Sequence, residues 1–177
     1  VTRGDGQIGD DITENARKMN GVNDALYFNG KLIPFSGGIR GEVIMTHQVH
    51  KKYFSTKANC RNAANGLMKR KDGTGCEFLT LIVYDALSTD NNSYFSNEEE
   101  KITWLKECGF NVVHLEICKN PQDVIAYRSK VMEILKSLDY DIDGLVIKER
   151  KINLEDARRT RPDHQIAFKF SLEEAVS

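Results

Sequence analysis

Two short apolar runs, each carrying one lysine, constrain this chain more than any other sequence feature. Residues 142–148 read I-D-G-L-V-I-K, where a turn leads into an unbroken apolar run that ends at Lys148. Residues 165–170 read Q-I-A-F-K-F, and Lys169 lies between two phenylalanines. Branched and aromatic residues favour β-strands, and lysine is rarely buried without a partner. Each strand is therefore predicted to bring an ammonium group to an anion.

Composition favours one domain without a general affinity for nucleic acid. The chain has 177 residues, of which 40% are hydrophobic, which suits a single core and a single domain over residues 1–177. Lysine and arginine total 25 against 26 acidic residues, so the net charge is close to zero. Any site for a polyanion must therefore be local rather than spread over the whole surface.

Localisation and metal content are predicted from what the sequence lacks. No apolar run approaches the roughly 18 to 20 residues needed to cross a bilayer, so we expect a soluble, cytoplasmic protein without a membrane partner. The cysteines and histidines show no spacing typical of a metal site, so no metal ligand is predicted. The four cysteines, expected to be reduced, are Cys60, Cys76, Cys108 and Cys118.

Two helices are predicted from capping signals. The first runs from about residue 97 to 108, with Ser96 and Glu99 as an S-x-x-E capping box and Gly109 as the closing residue. The second begins at Asn120 and Pro121, a helix cap followed by a proline at the first helical position. It is predicted to end before the turn at 139–141.

Strand-like runs surround these helices. They share a content of branched and aromatic residues, and they cover 78–84, 111–118, 144–148 and 166–170. Helices mixed with several strands indicate an α+β fold. Residues 3–11, which are rich in glycine and aspartate, suit turns rather than regular structure.

The two lysines suggest a phosphate site. Lysines on two strands of one sheet could converge on a phosphate and stabilise charge that develops there during transfer. The alternative is that Lys148 merely extends from a sheet edge into solvent. Glu42, in the strand-like run 39–45, could bind a ribose hydroxyl or a metal-bound water, or it could simply face solvent.

Longer segments resemble one enzyme family. Residues 2–15, T-R-G-D-G-Q-I-G-D-D-I-T-E-N, resemble the T-R-G-D-G-x-x-G-E-D-V-T-x-N signature of NAD-dependent DNA ligases. Residues 59–66, N-C-R-N-A-A-N-G, are similar to their N-P-R-N-A-A-A-G stretch, and the helix ending at 108–110 resembles one of theirs. The resemblance covers essentially the whole chain and indicates the nucleotidyltransferase, or adenylation, domain of this family.

The resemblance implies a fold and a set of site residues. The implied fold is that of the covalent nucleotidyltransferases, an ATP-grasp-like α+β arrangement of antiparallel sheets flanked by helices. The implied cofactors are NAD and Mg²⁺, and the implied partner is nicked double-stranded DNA. Arg3 and Glu42 would contact adenosine, and Lys148 and Lys169 would surround the α-phosphate. Arg61 would contact the phosphate or the backbone of the nicked DNA, and Lys69, in place of the family's usual arginine, would contact the DNA.

The implied reaction needs a nucleophile that this chain does not contain. In the family, the lysine of a K-x-D-G motif accepts AMP from NAD and passes it to the 5′-phosphate of a nick during replication and repair. Residues 69–73, K-R-K-D-G, have Arg70 where the lysine would stand, and arginine is a poor nucleophile. A basic loop is the preferred interpretation of this segment.

Several explanations of the missing lysine stay open. The chain starts after the expected position of K-x-D-G, so we expect a fragment that lacks the N-terminal part of the domain and is inactive by itself. The alternative is a non-catalytic or split-ligase subunit completed by a partner chain that carries the lysine. An RNA ligase or capping enzyme is a third alternative. Departures from the family pattern at Leu135 and 161–165 concern the predicted DNA contacts most.

Overall fold

Short helices and antiparallel strands alternate along the chain in this computed structural model, which describes residues 2, 8–90, 94–159 and 163–170. The helices are α1 (Thr13–Ala16), α2 (His47–Tyr53), α3 (Cys60–Met68), α4 (Glu98–Glu107), α5 (Pro121–Ile134) and α6 (Leu154–Ala157). The strands are β1 (Tyr27–Phe28), β2 (Lys31–Leu32), β3 (Gly37–Ile44), β4 (Thr80–Ser88), β5 (Gly144–Lys148) and β6 (Gln165–Lys169). Within the described ranges these strands form three antiparallel pairs, β1–β2, β3–β4 and β5–β6.

The long β3–β4 pair contains a bulge. Arg40 is opposite Asp85 but Gly41 is opposite Val83, so one residue of β4 is left without a counterpart. A Cβ atom on Gly41 would lie 2.5 Å from the carbonyl oxygen of Ile82, which explains why glycine stands there. Bulges redirect side chains locally, and this one lies between two charged residues of β3, Arg40 and Glu42.

The β5–β6 pair is held against α5 by an arginine. Arg128 of α5 lies over two aromatic rings, with its guanidinium carbon 5.0 Å from the centre of Phe168 and 5.5 Å from that of Phe170. Cation–π contacts of this kind join a charged helix face to a sheet. At the start of β5, a Cβ on Gly144 would lie 2.6 Å from the carbonyl oxygen of Phe168, so the two strands approach closely there.

Two clusters of buried side chains form the core. The first lies where α3 packs near β3, and its members are Met19, Met45, Cys60, Ala63, Ala64, Leu67, Cys76 and Leu79. The second lies between β4 and α4, and its members are Val83, Ala86, Phe95, Leu105, Cys108 and Phe110. The rings of Phe35, Tyr94 and Trp104 pack on one another and on Phe95 of the second cluster, mostly edge-on.

The predicted helices are confirmed, but the cap of α4 is one residue away from its predicted position. The side chain of Asn97, not Ser96, accepts the N–H of Glu100 at 2.8 Å, and Glu100 in turn accepts the N–H of Ser96 at 2.9 Å. The prediction of Ser96 and Glu99 as the capping pair was therefore wrong. For α5, Asn120 caps the helix as predicted, accepting the N–H of Asp123 at 2.9 Å.

One predicted strand is absent, the strand at 144–148 is confirmed with its predicted bounds, and the other two are confirmed with changed bounds. Residues 111–118 contribute a single parallel bridge, between Val112 and Val83, and no ladder beyond it. The run alternates in the manner of a strand, but His114 and Glu116 are exposed and no neighbouring strand pairs with them in the described part of the chain. The predicted strand at 78–84 starts at Thr80, because residues 76–78 form a 3₁₀ turn.

The mixture of helices and antiparallel strands confirms the α+β class, whereas the ATP-grasp-like description remains a prediction. The turn-rich segment 3–11 lies partly outside the described residues. Its described part has no regular structure but is tied by two hydrogen bonds, from Thr2 N to Asp10 O at 3.0 Å and from Asp10 N to the Thr2 hydroxyl at 2.9 Å. Across the described ranges, no helix is both long and apolar enough to span a bilayer.

The position of the α4 cap can be tested by two alanine substitutions. Asn97→Ala removes the acceptor for a helix N–H and should lower the free energy of unfolding by about 1 kcal/mol. Ser96→Ala removes a side chain that caps nothing and should change it by less than about 0.5 kcal/mol. Chemical denaturation of both variants measures the difference, and a larger loss for Ser96→Ala would contradict the observed cap.

Candidate phosphate and nucleotide site

Lys148 ends β5 beside the N-terminal turn of α4. Its side chain is only 27% exposed, and its Nζ lies 3.7 Å from Oε2 of Glu98. That separation is an ion pair rather than a hydrogen bond. The lysine is therefore half-buried, with a carboxylate as the neighbour of its ammonium group.

Glu98 itself belongs to a row of alternating charges. Lys101, whose side chain is 3% exposed, donates to Asp85 at 2.5 Å and to Glu98 at 2.9 Å. Arg40 lies 3.6 Å from the other oxygen of Asp85. We call these five residues, Arg40, Asp85, Lys101, Glu98 and Lys148, the charge row. It connects β3, β4, α4 and β5, and its one fully buried cation is Lys101.

Lys169, at the end of β6, is far more exposed than Lys148. Its Nζ is 3.8 Å from Oδ2 of Asp143, and both side chains are more than 70% exposed. An exposed pair at this distance contributes little to stability. Lys169 is therefore accessible to an anion from solution, whereas Lys148 is held by protein groups.

The register of β5 and β6 places the two lysines on the same face but at opposite ends of the ladder. Lys148 is opposite Gln165, and Lys169 is opposite Gly144. Residues directly opposite or two apart share a face, and four residues along a strand span about 13 Å. The two ammonium groups thus bound a face whose centre carries Val146, which is 62% exposed.

Glu42 lies on the other long strand pair. It is exposed on β3, two residues after Arg40 and opposite Ile82 of β4. The bulge between Arg40 and Gly41 sets its direction. Since β3–β4 and β5–β6 are separate pairs, the strand pairing alone does not bring Glu42 to the lysines; the charge row is the described connection between them.

Arg61 lies in α3, and Lys69 lies at the C-terminal end of the same helix. Asn59 caps this helix by accepting the N–H of Asn62 at 2.8 Å. Arg61 is exposed in the first turn, and Lys69 is the exposed C-cap residue. Both cations therefore face solvent on one short helix, as a contact with a phosphate backbone would require.

Two sequence predictions concern neighbouring segments. Arg3, predicted to contact adenosine, lies outside the described residues. Segment 69–73 is a loop, as expected: Gly73 has a φ of 63°, Lys18 donates to the Asp72 carbonyl at 2.7 Å, and Arg70 donates to that of Thr74 at 3.0 Å. Asp72 accepts a hydrogen bond from the N–H of Thr74, and this contact contributes most to the lowered pKa of Asp72. A hydrogen bond from the Thr74 side chain lowers that pKa further.

The segment that connects β5 to β6 has its own polar contacts. Asp156 is buried and accepts the N–H groups of Asp163 at 2.6 Å and His164 at 2.9 Å. Desolvation opposes ionisation of Asp156, but these two donors outweigh it and lower its pKa. The ring of His164 lies 3.2 Å from Glu149, and this contact, reinforced by the charge of Glu149, raises the pKa of His164.

Sequence reasoning missed the inner part of the charge row. Asp85 stands in a strand and Lys101 on a helix, and neither belongs to a motif. The available signal was Lys101 itself, which lies on the same helix face as Leu105 four residues later. A lysine on an apolar helix face requires a buried carboxylate, but the sequence does not say which one.

Lysines that end two paired strands of this α+β fold leave an open face with a cation at each end, a class of site that suits anionic groups. Lys148 and Lys169 supply the charges, Val146 supplies an apolar centre, and Arg61 and Lys69 add cations on α3.

Comparison with known proteins identifies the family. The model of the NAD-dependent DNA ligase adenylation domain matches residues 1–173. The DNA ligase of Treponema denticola is 57% identical over the whole chain, which covers 29% of that protein. The DNA ligase of Treponema pallidum is 45% identical, with 23% of its length covered, and that of Sorangium cellulosum is 33% identical over 97% of the chain, with 25% covered. The chain belongs to the family of NAD-dependent DNA ligase adenylation domains and spans less than a third of these curated relatives.

The buried cation of the charge row can be tested by removing its charge. Lys101→Met leaves Asp85 and Glu98 with only their longer ion pairs, to Arg40 and Lys148, and should lower the free energy of unfolding by about 3 kcal/mol. Lys106→Met, at an exposed position of the same helix, is the matched control and should change it by less than about 0.5 kcal/mol. If urea denaturation gave the same loss of stability for both variants, the charge row would not depend on Lys101.

The raised pKa of His164 predicts a pH dependence of stability. The folded state favours protonated His164, so its contact with ionised Glu149 stabilises the protein below the ordinary pKa of 6.5. That contribution is lost as the pH rises through the higher folded pKa. His164→Gln should flatten this part of the stability profile. An NMR titration that gives His164 a pKa at or below 6.5 would contradict the prediction.

Proposed function

We propose that this chain is the AMP-binding and phosphate-binding part of a DNA ligase that uses NAD to seal nicks in DNA replication and repair. The observation that carries the proposal is the open face of β5–β6. It has Lys148 at one end, Lys169 at the other and exposed Val146 between them. Family membership supports ligase chemistry and NAD as the source of the adenylyl group.

The chemistry of this face fits a nucleotide. The α-phosphate carries negative charge, which Lys148 and Lys169 complement from the two ends of this face. Lys148 is positioned in advance because it pairs with Glu98, which the buried Lys101 holds in turn. A positioned cation loses less freedom on binding than a solvated one, so it stabilises developing charge more effectively.

Each remaining residue has a proposed task around this face. Glu42 and Arg3 hold the adenosine part, with Glu42 accepting a hydrogen bond from the ribose. Arg61 and Lys69 bind phosphates of the nicked strand, a role for which exposed cations suffice. Mg²⁺ would screen the phosphates, and Glu42, as an exposed carboxylate, could hold one of its water ligands.

The proposed reaction is adenylyl transfer to a lysine of a K-x-D-G motif. Bound NAD supplies the phosphorus atom, which forms a bond to lysine nitrogen while the bond to the nicotinamide mononucleotide oxygen breaks. The residues of this chain position and neutralise the phosphate so that the attack is in line. We further propose that residues 1–177 form one nucleotidyltransferase domain, and that they do not form the adduct without a chain segment that contains K-x-D-G.

The test is covalent labelling by NAD that carries a label in its adenylate half. A version of the chain extended upstream to include K-x-D-G should become labelled, and the 177-residue chain should not. In the extended version, Lys148→Ala and Lys169→Ala should each slow labelling about 100-fold or more. Lys130→Ala, at an exposed position of α5, is the matched control and should label at the unaltered rate.

Three outcomes would change the proposal. Normal labelling of the Lys148→Ala and Lys169→Ala variants would overturn their assignment to the phosphate. Labelling by ATP instead of NAD would assign the protein to another branch of the nucleotidyltransferases. Stoichiometric association with a separate polypeptide that carries K-x-D-G would favour the second candidate function, a non-catalytic or split-ligase subunit.

A further inference from the structure

Three side chains from separate segments meet near the start of α3. They are His47, the first residue of α2, Cys60, the first residue of α3, and Asp141, in the turn before β5. Their ligand atoms all lie within 4.8 Å of one another, and Nε2 of His47 is 2.7 Å from Oδ1 of Asp141. These positions are far apart in sequence, which explains why spacing alone did not indicate them.

We propose that His47, Cys60 and Asp141 bind one divalent ion of the zinc class. A neutral imidazole, a thiolate and a carboxylate are the three ligand types that Zn²⁺ takes in proteins. Bond lengths of 2.0–2.3 Å place tetrahedral ligand atoms about 3.3–3.7 Å apart. The hydrogen bond of 2.7 Å between His47 and Asp141 would therefore open by about 0.6 Å as both atoms turn to the ion. Mg²⁺, which requires oxygen ligands, does not suit this set.

The backbone around the cluster is already arranged to hold it. The N–H of His47 donates to the carbonyl of Asp139 at 2.8 Å, and the N–H of Gln48 donates to the Asp139 carboxylate at 3.0 Å. These bonds fix α2 against the turn that carries Asp141, and the carboxylate of Asp139 adds nearby negative charge. A metal would therefore meet ligands that are largely in place, which lowers the entropy cost of binding.

Exposure leaves room for a fourth ligand. Cys60 is buried at the inner side of the cluster, whereas the side chains of His47 and Asp141 are 45% and 70% exposed. A water molecule would complete a tetrahedral site on the outer side, as in zinc sites with three protein ligands. Cys60 stands where the related signature has proline, so the site belongs to this chain and not to the general signature.

The inference does not depend on the proposed ligase function. Its consequence for the fold is a cross-link between α2, α3 and the turn that leads into β5. Arg61 directly follows Cys60, and Asp143 and Gly144 follow Asp141 by two and three residues. A bound ion would thus fix the helix of the proposed DNA-contacting arginine against the strand that carries Lys148.

The test is titration of the reduced, metal-free 177-residue chain with Co²⁺, followed by competition with Zn²⁺. Binding to Cys60 should give near-ultraviolet absorption from thiolate-to-cobalt charge transfer that saturates at one equivalent and is removed by Zn²⁺ but not by Mg²⁺. His47→Gln and Cys60→Ser should weaken binding more than about 100-fold, since loss of a direct ligand exceeds loss of a supporting contact. Asp141→Asn should weaken it in the same direction.

Matched controls separate this site from binding at other side chains. His50→Gln removes a histidine of the same helix, and Cys118→Ser removes a half-buried cysteine elsewhere; neither should alter the absorption. Absence of the charge-transfer band in the unaltered chain would overturn the proposal, as would a band that survives Cys60→Ser. Cys60 belongs to the core, so its substitution can disturb folding; the variant at exposed His47 tests the site without this effect. In the unaltered chain, Zn²⁺ should also slow alkylation of Cys60.

Discussion

A single buried ammonium group, that of Lys101, holds the two main strand pairs in a common arrangement. It donates to Asp85 of β4 and to Glu98 of α4, and Glu98 in turn faces Lys148 of β5. Charges are costly to bury unless each has a partner, so the row specifies how α4 must sit between the strands. Leu105 on the same helix is buried and packs α4 into the core, whereas the ion pairs determine the orientation of α4.

The sequence predicted the parts of this arrangement that depend on local chemistry. Lys148 and Lys169 were found because an apolar run with one charge is unusual, and α5 because Asn120 and Pro121 form a clear start signal. The cap of α4 was misplaced by one residue since Ser96 and Asn97 can both cap and the glutamates that follow permit either register. The absent strand at 111–118 has the right pattern but lacks a neighbour, and a pattern does not reveal partners.

Contacts between distant segments were beyond sequence reasoning. Asp85 and Lys101 are sixteen positions apart in elements of different type, and His47 and Asp141 are separated by 94 positions. Nothing in the residue types identifies such pairs, because an aspartate in a strand has many possible cations. The sequence thus predicted individual residues of the candidate site. The structure added the side chains that surround one of them, Lys148.

The antiparallel register of β5 and β6 has a consequence for how this domain can change in evolution. The segment between the strands can gain or lose residues without altering the face that carries the two lysines. A slip of one residue in the pairing would turn one lysine to the other side, and a slip of two would change their separation by about 7 Å. Selection on the site should therefore act on alignment of the strands more strongly than on the length of the loop that joins them.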